Sequence, residues 1–519
     1  MSRQSMLNQF FMFNINGTEF LSAAAITILI VGVLGWLWAP LWWLLVLVIP
    51  ITLVGLYDMS QTENSITRNF PFLGHFRYLL MSISPEIRQY FVESNTDGKP
   101  FSKIQRDFVN QRSEEGMQTH PFGTELDMYK EQFTWAPHSI YPAEVNSDAR
   151  RILIGENNSN QPYHASILNI SAMSYGSLSA PAVLALNKGA REGDFFHNTG
   201  EGGITPYHLK YDADLVWEIG SGYFGCRTKG GDFNPDMFKE KARHSNVKMI
   251  EIKLSQGAKP GHGGVLPADK VSEEIAEIRN VEPHRKVVSP AYHKEFSDAE
   301  GLLQFVQKLR ELSNGKPIGF KLCIGEKKEF QDVCMAMVQT GIQPDFITID
   351  GSEGGTGAAP IEFSDSIGMP LEEALVFVTD TLRGYNLKDD IKIIGSGKVI
   401  TGFDIIKTLA LGADLCNSAR GMMFALGCIQ ALKCDTNDCP TGVTTHDPNL
   451  TRGLVVDDKA ERVVNFQRET IDATLELLAG MGKRDFSELD RSDIRKRTEP
   501  ETFRTYAEIY PPVKKGAFL

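Results

Sequence analysis

The chain has 519 residues, with 53 lysines and arginines against 65 aspartates and glutamates, a formal net charge of −12. Hydrophobic residues make up 42% and charged residues 23%, which excludes disorder as a description of the whole. The acidic balance excludes nucleic acid as the main partner, because no basic excess exists to displace phosphate counterions. Seven cysteines are too few for a disulfide scaffold, and a mean hydropathy of −0.19 describes a soluble body on average.

That average hides a local exception. After a short N-terminal segment (1–19), no residue from Phe20 to Tyr57 is charged. A membrane helix needs about 20 apolar residues, so 20–57 fits one span comfortably, or two short ones hinged at Ala39-Pro40, where proline disfavours helix continuation. Trp36, Trp38, Trp42 and Trp43 cluster at that hinge, as interfacial aromatics do. Two spans are the preferred reading, against a buried core hairpin or a cleaved signal peptide. The signal-peptide reading is the weaker one, since only Arg3 precedes a stretch longer than an h-region. Arg68, Arg77 and Arg88 follow, so the positive-inside rule expects an inner or plasma membrane protein with the remainder in the cytoplasm.

Residues 58–165 are polar and aromatic with frequent prolines and read as an extension leading to a catalytic body. From about 166 the pattern changes to short apolar strands alternating with helices. Eight strands are expected at 167–173, 195–199, 215–219, 249–254, 317–324, 346–350, 391–395 and 414–419. Such alternation predicts an α/β fold, a (β/α)8 TIM barrel spanning 166–455, with a doubly wound sheet as the alternative. The stretch 256–316 is long for a strand-to-helix connection, and long loops on that face carry function. A final helix, about 456–480, opens the C-terminal segment 456–519 and is expected on the barrel's outside.

In a barrel of this kind a phosphate sits at the loops after strands seven and eight. Strand seven runs into Gly395-Ser396-Gly397 and strand eight into Ser418-Ala419-Arg420-Gly421. Glycines admit backbone N–H groups to a phosphate and Arg420 offers a charged fork, so a phosphate-bearing cofactor is expected, although Gly-Ser-Gly alone is also an ordinary tight turn. Directly after strand eight, Cys428, Cys434 and Cys439 are spaced Cys-x5-Cys-x4-Cys, with Pro440 following. Three soft thiolates in one loop suit an iron–sulfur cluster, and the missing fourth cysteine points to three irons. Zinc held by these three plus His446, and free thiols, are the alternatives. Cys226, Cys323, Cys334 and Cys416 lie in apolar contexts and read as core.

Taken together, KLSQGAKPGHGGVLP (253–267), NTGEGG (198–203), DGSEGGTGAAP (350–360) and the cysteine loop resemble the FMN-binding domain of glutamate synthase. The likeness is closest to its short, membrane-anchored single-domain members, and the stretch 68–91 is similar to the region that follows their anchor. The resemblance implies a barrel that binds FMN and a 3Fe-4S cluster and reduces 2-iminoglutarate, formed from 2-oxoglutarate and ammonia, to L-glutamate. It implies Met173, Ser174 and Ser177 against the flavin ring and Lys321 as a cation near its N1 and O2. It further implies Lys253, Gln256 and Lys259 as holders of the dicarboxylate, with Glu201 orienting the nitrogen or relaying a proton. The bland readings are an ion pair inside the barrel for Lys253 and Lys321, an exposed loop lysine for Lys259 and a turn-stabilising carboxylate for Glu201. Where the larger enzymes carry Gly-Glu-Gly-Gly this chain has Gly261-His262-Gly263-Gly264, and Ser352-Glu353 replaces their His-Asp pair. Neither a glutaminase nucleophile nor an NADPH-binding unit is recognisable. Free ammonia (or an amine) and a separate electron donor, ferredoxin or a reductase subunit, are therefore expected. The alternatives are an N-methylglutamate synthase-type transferase and a non-enzymatic, membrane-docked electron-transfer subunit.

Overall fold

The computed structural model describes residues 16–116 and 119–519, so most of the N-terminal segment lies outside the described residues. Two compact units divide the chain, one ending at Lys103 and the other beginning at Ile104.

In the first unit, helix α1 (Gly17–Leu37) opens with a reciprocal cap. Asn16 Oδ1 accepts from the Glu19 amide at 3.1 Å while the Asn16 amide donates to Glu19 Oε2 at 2.9 Å. Its 21 residues rise about 30 Å, the thickness of a bilayer's hydrocarbon core. Trp38 is extended and ends the helix, and a 3-10 stretch (Ala39–Leu44) carrying Pro40 leads into α2 (Leu45–Ser60). The chain thus turns at the expected hinge, and α1 and the stretch Ala39–Ser60 are both long and apolar enough to cross a membrane. They pair as a hairpin: a Cβ on Gly55 would lie 2.1 Å from the Phe20 ring, so glycine is what admits that contact. Large apolar side chains face outward, Leu29 at 68% and Trp36 at 87% exposure. A third helix, α3 (Leu73–Ile87), follows and continues into a single π turn (Arg88–Val92).

The second unit is a closed barrel of eight parallel strands: β1 (Leu168–Ile170), β2 (His197–Asn198), β3 (Leu215–Ile219), β4 (Val247–Lys253), β5 (Ile318–Leu322), β6 (Phe346–Asp350), β7 (Lys392–Ser396) and β8 (Leu415–Ser418). The Asn417–Asn169 register pair closes β8 onto β1 and excludes the doubly wound alternative. All eight expected strands are present because each is buried on both faces and so reads as a short apolar run. The long stretch after β4 is shorter than the sequence suggests, because Ala299–Leu312 forms an amphipathic helix before β5. What remains is an excursion holding a small hairpin (Val265–Leu266 with Val287–Val288) and the helix Glu273–Arg279.

An antiparallel hairpin (Arg151–Ile154 with Tyr163–Ser166) plugs the N-terminal end of the barrel. There Ile154, Tyr163 and Ala165 pack on Val216, Met249, Phe346, Ile394 and Leu415. With that end closed by apolar packing, chemistry is left to the opposite mouth. Outside the barrel α4 (Ala180–Gly193) lies against α5 (Val456–Gly480), close enough that a Cβ on Gly189 would meet Val463 at 2.8 Å.

Candidate active site

The C-terminal mouth is built on a buried polar layer. Glu218 of β3 and Glu251 of β4 are register partners, and both are fully buried. Glu251 accepts from Asn198 Nδ2 at 2.8 Å and from Thr348 Oγ1 at 2.5 Å. Burial, reinforced by the neighbouring Glu218, pushes the Glu251 carboxyl up to about 7. Lys321 of β5 points its ammonium between Glu218 (3.5 Å) and Asp350 (3.9 Å). Burial lowers its pKa, but Glu218, Asp350 and Glu251 outweigh burial and hold it above the usual lysine value. Lys321 is therefore a cation inside the barrel, beneath the mouth.

Above this layer lies a second cluster. Lys253, the last residue of β4, donates to Glu201 Oε1 at 2.8 Å and to Gln256 Oε1 at 2.5 Å. Glu201 sits in the NTGEGG turn between Gly220 and Gly264; a Cβ on either glycine would come within 2.5 Å of its carboxylate. Burial opposes its charge, but Lys253, Arg279 and Lys259 hold its carboxyl below the usual range. Lys259, 3% exposed, donates to the Ala358 carbonyl at 2.8 Å. Burial and the nearby Lys253 lower Lys259 to about 8. Lys253, Gln256, Lys259 and Glu201 are thus brought together at one place.

Sequence reasoning missed one member. Arg279, at the end of the helix Glu273–Arg279, is buried, donates to the Tyr175 carbonyl at 2.8 Å and lies 5.0 Å from the Phe224 ring centre. Its Nε has no hydrogen-bond partner among the described residues. Burial lowers it to about 10 while Glu201 opposes that shift. His293, given no role beforehand, supports the cluster from behind by its 2.8 Å hydrogen bond with the Lys253 carbonyl.

The loop after β1 borders the same mouth. Met173 is buried, Ser174 Oγ accepts from the Gly202 amide at 3.2 Å, and the Ser177 carbonyl accepts from Lys270 at 3.4 Å. At the phosphate end the hydroxyls of Ser396 and Ser171 lie 3.4 Å apart. Not every expected residue faces this end. A Cβ on Gly395 would strike Thr408 at 2.4 Å, so that glycine serves the contact with the outer helix Gly402–Ala410. Ser418 Oγ donates to the Val399 carbonyl at 2.6 Å, and Arg420 Nη2 donates to the Glu353 carbonyl at 2.6 Å. Ala419 caps the short helix Arg420–Ala425, whose Gly421 packs against Ser418 Oγ. The Ser171 and Ser396 hydroxyls and the turn at Gly397 are groups that a phosphate-bearing flavin could use at this end.

The three loop cysteines lie within one another's electrostatic field. Gln430 N donates to Cys428 Sγ at 3.4 Å, and Cys439 Sγ lies 3.5 Å from Thr441 Oγ1. Burial pushes Cys428 up to about 12, whereas at Cys439 the bonds from Thr441 and Thr444 outweigh burial and hold the thiol below its usual value. Among the described residues no group of three His, Cys, Asp or Glu closes around a single ion, and His446 Nε2 is engaged with the Gly176 carbonyl at 2.9 Å. Lys270, buried, ties this loop to the mouth: its ammonium donates to the carbonyls of Ser177, Cys434 (2.8 Å) and Thr444 (2.5 Å).

Comparison with known proteins bears on this geometry. Residues 113–484 match the conserved region in glutamate synthase. The glutamate synthase large subunit-like protein YerD of Bacillus subtilis (strain 168) is 40% identical over 487 residues, covering 84% of this chain and 91% of its own. The archaeal-type glutamate synthase (NADPH) of Thermotoga neapolitana is 36% identical over 314 residues, 60% of this chain and 58% of its own. The archaeal glutamate synthase (NADPH) of Methanocaldococcus jannaschii is matched at the same identity and coverage, so this chain spans under two thirds of either enzyme.

Proposed function

The chain belongs to the glutamate synthase family, and we propose that it is a membrane-anchored, FMN- and iron–sulfur-dependent glutamate synthase-like oxidoreductase. On this reading it aminates 2-oxoglutarate reductively to L-glutamate through 2-iminoglutarate, taking free ammonia as the nitrogen source and electrons from a separate donor, ferredoxin or a reductase subunit. The observation that carries the reading is the cationic group Lys253, Lys259 and Arg279 gathered around Glu201 on a chain whose net charge is −12. An acidic protein that concentrates buried positive charge at one mouth is equipped for an anionic substrate.

In this site Arg279 and Lys259 hold the two carboxylates of 2-oxoglutarate, Arg279 through its planar fork and Lys259 as a point charge. Glu201, kept ionised by its cationic neighbours, accepts a proton from ammonium and frees ammonia to attack the keto carbon. Lys253 sits 2.8 Å from Glu201 and gives one proton to the keto oxygen. The attacking nitrogen gives that oxygen a second, so that water leaves as the protonated imine forms, and Glu201 passes the proton taken from ammonium back to Lys253. When bound, FMN supplies the hydride equivalent that reduces the imine, and a 3Fe-4S cluster on Cys428, Cys434 and Cys439 supplies single electrons to the flavin. Met173, Ser174, Ser177, Lys321, Ser396, Gly397 and Arg420 line or brace the flavin's place on this reading.

Membrane anchorage rests on the hairpin of α1 and α2, whose apolar side chains face outward. The test of the function is direct. Reduced protein mixed anaerobically with 2-oxoglutarate and ammonium is expected to reoxidise with formation of glutamate. Turnover with methylamine in place of ammonium, and none with ammonium, would favour an N-methylglutamate synthase-type reaction instead.

A further inference from the structure

The helix α3 is built inside out for a soluble surface. Phe76, Leu79, Leu80, Ile83 and Ile87 recur at i, i+3, i+4, i+7 and i+11, one continuous apolar stripe. In a globular protein that stripe faces the core. Here it faces outward, Phe76 at 61% and Leu79 at 54% exposure, and the π turn extends it with Phe91 at 84%.

The inward face is the polar one. His75 Nε2 lies 2.8 Å from Asp58 Oδ1 at the end of α2, and the Phe72 amide donates to the same carboxylate at 2.9 Å. Tyr78 OH donates to Asn64 Oδ1 at 2.8 Å, and Gly74 lies flat on Thr67. These bonds tie the helix to the end of the second candidate span with its rotation set, the apolar stripe turned away. Arg77 and Arg88 flank the stripe on one side, where they suit anionic headgroups; Glu86 shares the helix, and Arg88 Nε lies 3.5 Å from Glu93 Oε1.

We propose that α3 lies in the interface of the same bilayer that α1 and α2 cross, its stripe sunk among the acyl chains roughly 5–10 Å deep and its arginines at the headgroups. The occupant is lipid because the helix begins about a dozen residues after the last candidate span and its polar face is consumed by that span's end, which leaves the apolar stripe next to the bilayer the span crosses. This proposal rests on the reading of α1 and α2 as membrane spans.

The experiment uses the full chain in bilayer discs of phosphatidylcholine and phosphatidylglycerol. Trifluoromethyl-phenylalanine replaces, in separate preparations, Phe76 on the stripe, Leu47 in α2 and Ser82 on the opposite face of α3. Fluorine relaxation is read with dissolved oxygen, which concentrates in lipid, and with an aqueous gadolinium chelate. Position 76 is expected to follow position 47, with an oxygen effect several-fold larger relative to gadolinium than at position 82. If position 47 is lipid-like while position 76 matches position 82, or is shielded from both probes as in a protein interface, the proposal is overturned and the spans stand. If position 47 is itself open to gadolinium, the anchor reading fails and this proposal with it.

Discussion

Replacing Lys253 by methionine removes the cation that both pairs Glu201 and faces the substrate. Lys253 Nζ makes two hydrogen bonds, 2.8 Å to Glu201 and 2.5 Å to Gln256, and the side chains of the ion pair are only 11% and 14% exposed. Breaking a buried ion pair on one side costs about 3–5 kcal/mol; the residual exposure argues for the lower end, about 3 kcal/mol. If that loss falls on the transition state, it corresponds to a roughly 100-fold drop in kcat/KM for 2-oxoglutarate, at about 1.4 kcal/mol per decade. The assay is glutamate formation under saturating ammonium with a chemical reductant, alongside flavin content and denaturant unfolding. The double variant Lys253→Met with Glu201→Gln is expected to regain stability without regaining activity, because it removes the unpaired carboxylate and not the need for the cation. A Lys253→Met protein with full flavin and kcat/KM within threefold of the parent would refute the reasoning.

Lys259, lowered to about 8 by burial and Lys253, loses its proton above that value. The KM for 2-oxoglutarate should therefore rise from about pH 7 to about pH 9, and Lys259→Arg, which stays charged, should flatten that rise. Glu251, pushed up to about 7, holds its proton in the folded chain after the unfolded chain has released it. Its contribution therefore costs stability as pH rises from about 4.3 through about 7, so Glu251→Gln should gain in thermal midpoint over the parent progressively across that window. Cys434→Ser should remove the cluster's paramagnetic signal while leaving FMN bound, and an unchanged signal would refute the ligand assignment.

The parts of the molecule legible in the sequence are those where one local pattern suffices. Barrel strands such as LVWEI and FITID are buried on both faces, so each announces itself without reference to its neighbours. Lys253, Gln256 and Lys259, which the structure brings together, stand close in one short motif, and the three cysteines share one loop. What escaped depends on tertiary closure. Glu218 sits in an otherwise apolar strand and Glu251 in one that also carries two lysines, and only the β3–β4 register sets the two carboxylates side by side. Arg279 comes to Glu201 from a short helix inside a long excursion, and nothing in SEEIAEIR marks it apart from an ordinary surface helix. The bond from Arg420 to the Glu353 carbonyl likewise escaped, because the fold brings that partner from 67 residues away. The helix Ala299–Leu312, by contrast, carries a local signal that reading the stretch as one long loop passed over: Asp298 caps its first turn and its apolar residues recur at helical spacing.

The central claim is that this mouth reduces the imine of 2-oxoglutarate. Its most direct test is a single-turnover mixing experiment: anaerobically reduced protein against 2-oxoglutarate plus ammonium, following flavin absorbance and trapping the product. The account predicts rapid reoxidation with L-glutamate formed in proportion to the flavin reoxidised, and none when either substrate is left out. Protein that carries reduced flavin and stays reduced in the presence of both would contradict it.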